Sequence, residues 1–463
     1  MGERELIGLA GVIVFILLTA LRVPVALGML IVGIGGSYAL SLAAPFLRFE
    51  PYLLQFKTLF FSTVANYELS VVPLFILMGY LAAAGQLSRD LFQGLNALIG
   101  HIRGGLAMAA VAACAGFGAV SGSSLATASA MGKIALPQLR TLKYSEDLAT
   151  GALAAGGTLG ILIPPSVALV LYAVIVDASI IEMFQAAVVP GVLAVTFFIA
   201  LIAFLVRAFP HLAPEARPMP RDEANAALRR LIPAAAIFLA MIAGLGLGLF
   251  TPTPAAAIGV FAVFCYGLVR HRLTGEGLTR KGIRDSVLSA AVTAGMIYFI
   301  IFGAEILKGF FARTGLPGEL SEMAGASGID PWLILVLVLV VLIILGCVME
   351  SLSMILVVVP FFWPVMLGLN GGPDVLAADA AFGMTSDELR IWFGILCLVV
   401  VELGLITPPI GLNVFAIKSL TPMTPMTTIF RGVMPFFGVE LLRVALLLAI
   451  PALTLALPYW LGR

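Results

Sequence analysis

Long apolar runs dominate the chain, and polar residues gather in short clusters between them. The runs are continuous rather than alternating, which predicts helices and not barrel strands. A helix needs roughly 20 apolar residues to cross a bilayer. By that measure the pattern predicts spans near 6–22, 24–44, 71–86, 145–177, 185–207, 231–250, 254–270, 287–311, 389–420 and 433–460. Two further apolar stretches, 104–138 and 331–367, are long enough to cross twice, and small or polar residues interrupt each in the middle. The segment 45–70 mixes aromatics with single charges and predicts one or two helices lying in the interface.

Two of the spans carry the same interruption. Residues 157–166 read GTLGILIPPS, and residues 401–410 read VELGLITPPI. Proline lacks the backbone donor and clashes with the preceding turn, so each Gly-x-x-x-Pro-Pro breaks its helix. Unwound backbone at membrane depth is tolerated only where it lines a cavity or binds something. Around these breaks the two halves of the chain align. FILMGYLAAAG (75–85) matches FIIFGAEILKG (299–309), with Gly79 opposite Gly303. GFGAVSGSSLA (116–126) parallels ILGCVMESLSM (344–354), with Gly118 opposite Gly346 and Ser123 opposite Ser351. Gly160, Pro164 and Pro165 stand opposite Gly404, Pro408 and Pro409. Each half therefore reads as span, hairpin and broken span, and the second carries an extra polar insertion at 368–389.

Composition fixes the class. Of 463 residues, 61% are hydrophobic and 11% charged, more apolar surface than a soluble domain can hide. The N-terminus does not read as a cleaved signal, because its charges are mixed and its apolar run continues into a second span. Cys114, Cys265, Cys347 and Cys397 lie in separate apolar runs without CxxC spacing and read as small buried hydrophobes. A net charge of +1 implies no nucleic-acid partner.

Charge also sets orientation, since Lys and Arg concentrate on the cytoplasmic side. With the N-terminus outside and both long stretches re-entrant, the inner loops hold most of the basic residues. They include Arg22, Arg89, Arg103, Arg140, Lys143, Lys418 and Arg431. The clusters Arg207, Arg217, Arg221, Arg229, Arg230 and Arg270, Arg272, Arg280, Lys281, Arg284 join them. Arg4, Arg48, Lys57, Lys308, Arg313, Arg390 and Arg463 are left outside. The first repeat then starts outside and the second inside, so the repeats are inverted. The fold class expected is an all-α polytopic membrane protein of inverted repeats, each with a re-entrant hairpin and a discontinuous helix. That is the plan of secondary transporters, with the site near the midplane.

The words GFGAVSGSSLATASAMGKIALP (116–137), GALAAGGTLGILIPPS (151–166) and ELGLITPPIGLNVF (402–415), with LRVPVALGML (21–30), resemble the large membrane subunit of TRAP transporters, the DctM-like permeases. The resemblance covers essentially the whole chain. It implies sodium-driven uptake of an organic acid across the bacterial inner membrane by an elevator motion, with no cofactor beyond the coupling ion. It further implies a periplasmic binding protein that delivers the substrate and a small four-helix membrane subunit that braces the scaffold. The first span begins at once, so that subunit is expected as a separate polypeptide. Residues 1–70, 181–286 and 421–463 are expected to form the scaffold, and repeats 71–180 and 287–420 the mobile transport unit.

Hydroxyls and free carbonyls are hard oxygen donors suited to sodium. In the first half the candidate ligands are Ser121, Gly122 and Ser123 at the tip, with Gly156, Thr158, Ile163 and Pro164 at the break. In the second half they are Gly346, Glu350, Ser351, Glu402, Thr407 and Pro408. Ser123, Ser124, Ser351, Ser353 and Asn413 are the candidate substrate contacts. Small residues at these places also permit close helix packing. Either glutamate is placed to ligand sodium, to carry a proton or to satisfy N–H groups at a helix start. Lys133 could counter a substrate carboxylate or snorkel to the cytoplasm. Glu440 and Arg443, three apart on the last helix, read as a structural pair or a subunit contact. The alternative functions are a proton-coupled organic anion transporter without a binding protein, and an intramembrane hydrolase using GAVSGSS. The hydrolase would need a base beside the serine, and His101, His211 and His271 all fall at loops or boundaries. No Walker A sequence suggests an ATPase.

Overall fold

A computed structural model describes residues 2–21, 23–44, 46–215, 219–246, 248–326 and 328–461; Arg22, Arg217 and Arg463 of the orientation argument lie outside it. Among the described residues there are helices and no strands. The chain opens with α1 (Glu3–Ala20), α2 (Val25–Ala43), α3 (Phe49–Val64), α4 (Val71–Ala84) and α5 (Leu87–Ile99). The first hairpin is α6 (Gly105–Ser121) and α7 (Ser124–Thr141), and the first broken helix is α8 (Glu146–Leu162) and α9 (Val167–Val176). There follow α10 (Ile180–Ala208), α11 (Arg221–Gly246), α12 (Pro252–Thr274), α13 (Arg280–Thr314) and α14 (Leu316–Ala326). The second hairpin is α15 (Pro331–Gly346) and α16 (Ser351–Asn370), and the second broken helix is α17 (Ser386–Gly404) and α18 (Leu412–Leu420). The chain closes with α19 (Met426–Ala449) and α20 (Ala452–Leu461). Among the described residues, seven helices are long and apolar enough to cross a membrane, or up to nine if each of two bent pairs is one span. Those pairs are α3 with the 68–84 segment, bent by 55°, and α8 with α9, bent by 44°.

Three expectations need correction. The sequence pattern missed α5, whose Ser88, Arg89, Asp90, Gln93 and Asn96 dilute its hydropathy. Its inner face is nevertheless buried, because Asp90 is salt-bridged to Arg270 of α12 at 2.7 Å and accepts the Tyr266 hydroxyl. The expected final span 433–460 is two helices, since Pro451 cannot donate and α19 stops at Ala449. The first apolar arm of 280–314 is one 35-residue helix, longer at both ends than expected. The insertion after α16 is held by Asn370, which accepts from Phe382 N at 3.2 Å and donates to Met384 O at 3.0 Å. A capping box of Thr385 and Glu388 then starts α17.

The packing centres on α8. The hairpin α6–α7 lies on one side of it and α19 on another, and α18 reaches across to α7 and α8. A Cβ on Gly151 of α8 would fall 2.2 Å from Gly432 O of α19, so these two helices pack backbone to backbone. In the second half α15 packs on α17, and α16 on α9. Elsewhere α2 packs on α13, α13 on α4, and α4 on α12. Two helices from segments expected in the scaffold reach the hairpins and broken helices. Here α10 touches α6, α8, α9 and α17, and α19 lies on α8.

Candidate functional site

Each hairpin tip is built from a helix end and a helix start. In the first, Gly122 takes a left-handed φ of +61°, which ends α6 after Ser121. Ser123 then takes an extended backbone and its hydroxyl accepts the Ala126 N–H at 3.4 Å, capping α7. In the second tip Glu350 holds the corresponding cap position, its carboxylate accepting from Leu352 N at 3.1 Å and Ser353 N at 3.3 Å. The two tips therefore start their second arms differently, one with a hydroxyl and one with a charge.

The breaks differ as well. Pro164 and Pro165 remove the donors that would serve the carbonyls of Gly160 and Ile161. No hydrogen bond from the described residues after the break reaches Gly160 O, Ile161 O or Leu162 O. The second break closes on itself: Thr407 N donates to Gly404 O at 3.1 Å and Asn413 N to Leu405 O at 3.1 Å. The Thr407 hydroxyl is spent on Leu403 O at 2.6 Å, and Pro408 O accepts the Cys347 thiol at 3.5 Å. The peptides Pro164–Pro165 and Pro408–Pro409 are both cis.

The first tip and the first break meet. A Cβ on Gly160 would lie 2.7 Å from Thr127 Oγ1 and 3.1 Å from Ser123 O, so those oxygens stand directly over the break. Ser121 Oγ and Thr127 Oγ1 are 2.8 Å apart. The Ser124 and Ser166 hydroxyls are buried here without a hydrogen-bond partner. Sequence reasoning missed Thr127 and Ser166. Thr127 sits inside a small-residue run that reads as packing, and Ser166 follows the prolines that drew attention.

Several candidates also make close packing contacts. Gly156 faces Cys114 Sγ, where a Cβ would come to 3.0 Å, and Gly346 faces Gly404 Cα at 3.1 Å. The Thr158 hydroxyl donates to Ala155 O at 2.7 Å within its own helix. Two second-half residues cross to the first half. Asn413 Nδ2 donates to Ala154 O of α8 at 3.3 Å, and its Oδ1 is buried without a partner. The Glu402 carboxylate faces the backbone of Ile161 and Leu162 and lies in electrostatic range of Arg443 and Glu440. Glu402 is thus set beside the first break.

A cavity of about 410 Å³ opens between the tips, lined by Ser121, Gly122, Ser123 and Ala126 on one side and by Glu350 and Leu352 on the other. Tyr80 of α4 and Thr293 of α13, hydrogen-bonded at 3.0 Å, close a third wall. Ser124, Ser351 and Ser353 are buried and do not line it. Lys133 is exposed on α7 and is absent from the lining as well. His101, His211 and His271 are exposed and contribute nothing to the cavity, so no imidazole stands beside a tip serine.

A family profile, "Tripartite ATP-independent periplasmic transporter, DctM component", matches residues 12–453. The chain belongs to this family. The C4-dicarboxylate TRAP transporter large permease DctM of Pseudomonas aeruginosa is 33% identical over 431 residues, 92% of this chain and 94% of that one. The sialic acid TRAP transporter large permease SiaM of Vibrio cholerae is 30% identical over 397 residues, 85% and 87% of the two chains. Among solved structures the YdaH transporter of Alcanivorax borkumensis superposes with a TM-score of 0.55 at 16% identity, covering 88% of each chain. That likeness concerns the fold. The DctM-family chain is a multi-pass transport permease rather than an enzyme.

Proposed function

We propose that this permease couples sodium to the uptake of an organic acid, with the ion at the first break and the acid in the cavity between the tips. The observation that carries the reading is the set of unbonded carbonyls at Gly160, Ile161 and Leu162 beneath the hydroxyls of Ser121 and Thr127. Ser123 O, Ile163 and Pro164 complete a shell of hard oxygens of the kind sodium takes. A second ion is assigned to the other half, where Glu350 supplies charge at the tip. The acid's carboxylate is placed at the start of α7, because the start of α16 already holds the Glu350 carboxylate. Relatives named for C4-dicarboxylates and for sialic acid point to organic acids as the class.

Transport is by an elevator motion of the two repeats, and the family's tripartite plan supplies the remaining parts. A periplasmic binding protein delivers the acid, and a small membrane subunit braces the scaffold. The inner membrane is the site of action, with the N-terminus periplasmic and the basic loops cytoplasmic. The packing of α10 and α19 on α6, α8, α9 and α17 favours their travelling with the repeats rather than staying with α2 and α12.

The test is the thermal stability of the purified complex in NaCl against KCl and choline chloride at equal ionic strength. A sodium-specific rise, lost in Ser123→Ala with Ser124→Ala, is expected. Sodium held at 100 times its dissociation constant would add about 2.7 kcal/mol. Equal melting in all three salts would overturn sodium coupling at this site.

A further inference from the structure

The cavity between the tips can receive a carboxylate at one end only. That end is formed by Ser121, Ser123 and the start of α7. Among the described residues nothing accepts from Ser124 N or Leu125 N, because the Ser123 hydroxyl serves Ala126 N and the Ser123 carbonyl serves Thr127 N. Two free N–H groups at a helix start suit the two oxygens of one carboxylate. The opposite tip has no such pair to offer. Leu352 N and Ser353 N both donate to the Glu350 side chain, and Met354 N donates to Glu350 O at 3.0 Å. Ser351 is buried and lies outside the lining.

Most of the remaining wall is aliphatic. Ile76 of α4, Met296, Ile297 and Ile300 of α13 and Leu352 of α16 face the space. Tyr80 and Thr293, which also line it, are hydrogen-bonded to each other. Among the described residues no Lys, Arg or His lines the cavity. Its volume of about 410 Å³ is that of a small-molecule pocket, roughly 300–1,000 Å³. Such pockets orient a ligand by a few polar groups and hold the rest of it by apolar burial. A second carboxylate at the aliphatic end would lose its water and meet neither a donor nor a counter-charge, which is costly. A hydrocarbon end gains from the same burial, by about fourfold in affinity per methylene.

We propose that the acid this cavity takes is a monocarboxylate with an aliphatic body, and that it discriminates against C4-dicarboxylates. The carboxylate sits at Ser124 N and Leu125 N, and the body lies against Ile76, Met296, Ile297 and Ile300. The proposal rests on the reading of this cavity as the acid's site. It makes the wall from α4 and α13 a determinant of specificity, so that selection is exercised within the membrane and not by a delivering protein alone.

The experiment compares butanoate with succinate, which has the same four carbons and a second carboxylate in place of the methyl, and adds hexanoate. Each is titrated into the purified complex in saturating NaCl at constant ionic strength, at a pH of about 8 where every carboxylate is ionised. The concentration at half-maximal thermal shift is read. Hexanoate should half-saturate roughly fifteenfold below butanoate, from two more buried methylenes, and succinate at least tenfold above it. Met296→Arg sets a cation on the far wall at an exposed position and should make succinate the better ligand of the two. Ala126→Trp, at another exposed lining position, fills the space and should abolish the response to all three acids. Melting without acid shows that each variant folds. Succinate equal to butanoate in the wild type, with both responses lost in Ala126→Trp, would overturn the proposal and leave the cavity as the acid's site. A folded Met296→Arg complex that still prefers butanoate would also overturn it, since the far end of the acid would then lie away from α13. If Ala126→Trp keeps the butanoate response, or if no acid shifts the wild type, the reading of the cavity fails and the proposal fails with it.

Discussion

Gly118 of α6 and Gly160 of α8 meet backbone to backbone, such that a Cβ on Gly118 would lie 2.3 Å from Gly160 Cα. The aligned pair in the second half, Gly346 and Gly404, meets in the same way, with the corresponding distance at 3.1 Å. Each hairpin thus presses its first arm onto its own broken helix where that helix is about to unwind. The approach holds the tip over the break in both halves.

The glycine contacts predict an ordering of stabilities. Gly118→Ala forces backbone apart and should cost about 1–3 kcal/mol, the usual range for overpacking. Gly346→Ala needs only a small adjustment and should cost less. Melting temperatures of the two purified variants check this, and a larger loss for Gly346→Ala would refute the asymmetry.

Ser166 tests whether the first break binds through its unpartnered hydroxyl. Its side chain is fully buried and makes no hydrogen bond, so Ser166→Ala breaks none. Removing a buried unsatisfied group is close to neutral for stability, within about 1 kcal/mol. Sodium half-saturation should nevertheless rise several-fold, as measured by titrating NaCl at constant ionic strength. A variant that melts lower yet keeps its sodium response would make Ser166 a structural residue.

How much of this was legible in the chain depends on how local each cause is. The breaks were readable because Pro164, Pro165, Pro408 and Pro409 act on carbonyls four residues away. The tips were readable for a similar reason, Gly122 and Ser123 being a helix stop and a helix start in adjacent positions. What the sequence hid is tertiary. Nothing near Glu402 says that its carboxylate faces α8, and nothing near Asn413 points to Ala154, 259 residues away. The equality of the two breaks suggested by Gly-x-x-x-Pro-Pro also dissolves, because Thr407 and Asn413 satisfy carbonyls that have no such donors in the first half. Likewise α5 escaped notice because Asp90 is made burial-tolerant by Arg270, far along the chain.

That Asp90–Arg270 bridge carries its own prediction. Arg270→Met leaves Asp90 buried without its counter-charge and should cost about 3–5 kcal/mol. Adding Asp90→Asn should recover most of the loss, since Tyr266 still has an oxygen to donate to. The readout is thermal melting of the single and double variants. Equal destabilisation in both would show that Arg270 matters through its packed stem and not its charge.

Glu350 offers the sharpest separation of structure from function, because the first tip shows what a neutral cap at its position looks like. Glu350→Ser places at the start of α16 the residue type that caps α7, so a cap is kept while the charge goes. Glu350→Ala removes both and should lose about 1 kcal/mol of stability, the usual worth of an N-cap. If the carboxylate serves only as a cap, the serine variant melts and transports as the wild type does. If it also supplies charge to an ion in the second half, the serine variant melts normally but needs more sodium for half-maximal transport. The second outcome is the one expected, since Glu350 lines the cavity as well as capping the helix. Uptake into proteoliposomes against external sodium, measured for both variants with binding protein in excess, decides between them.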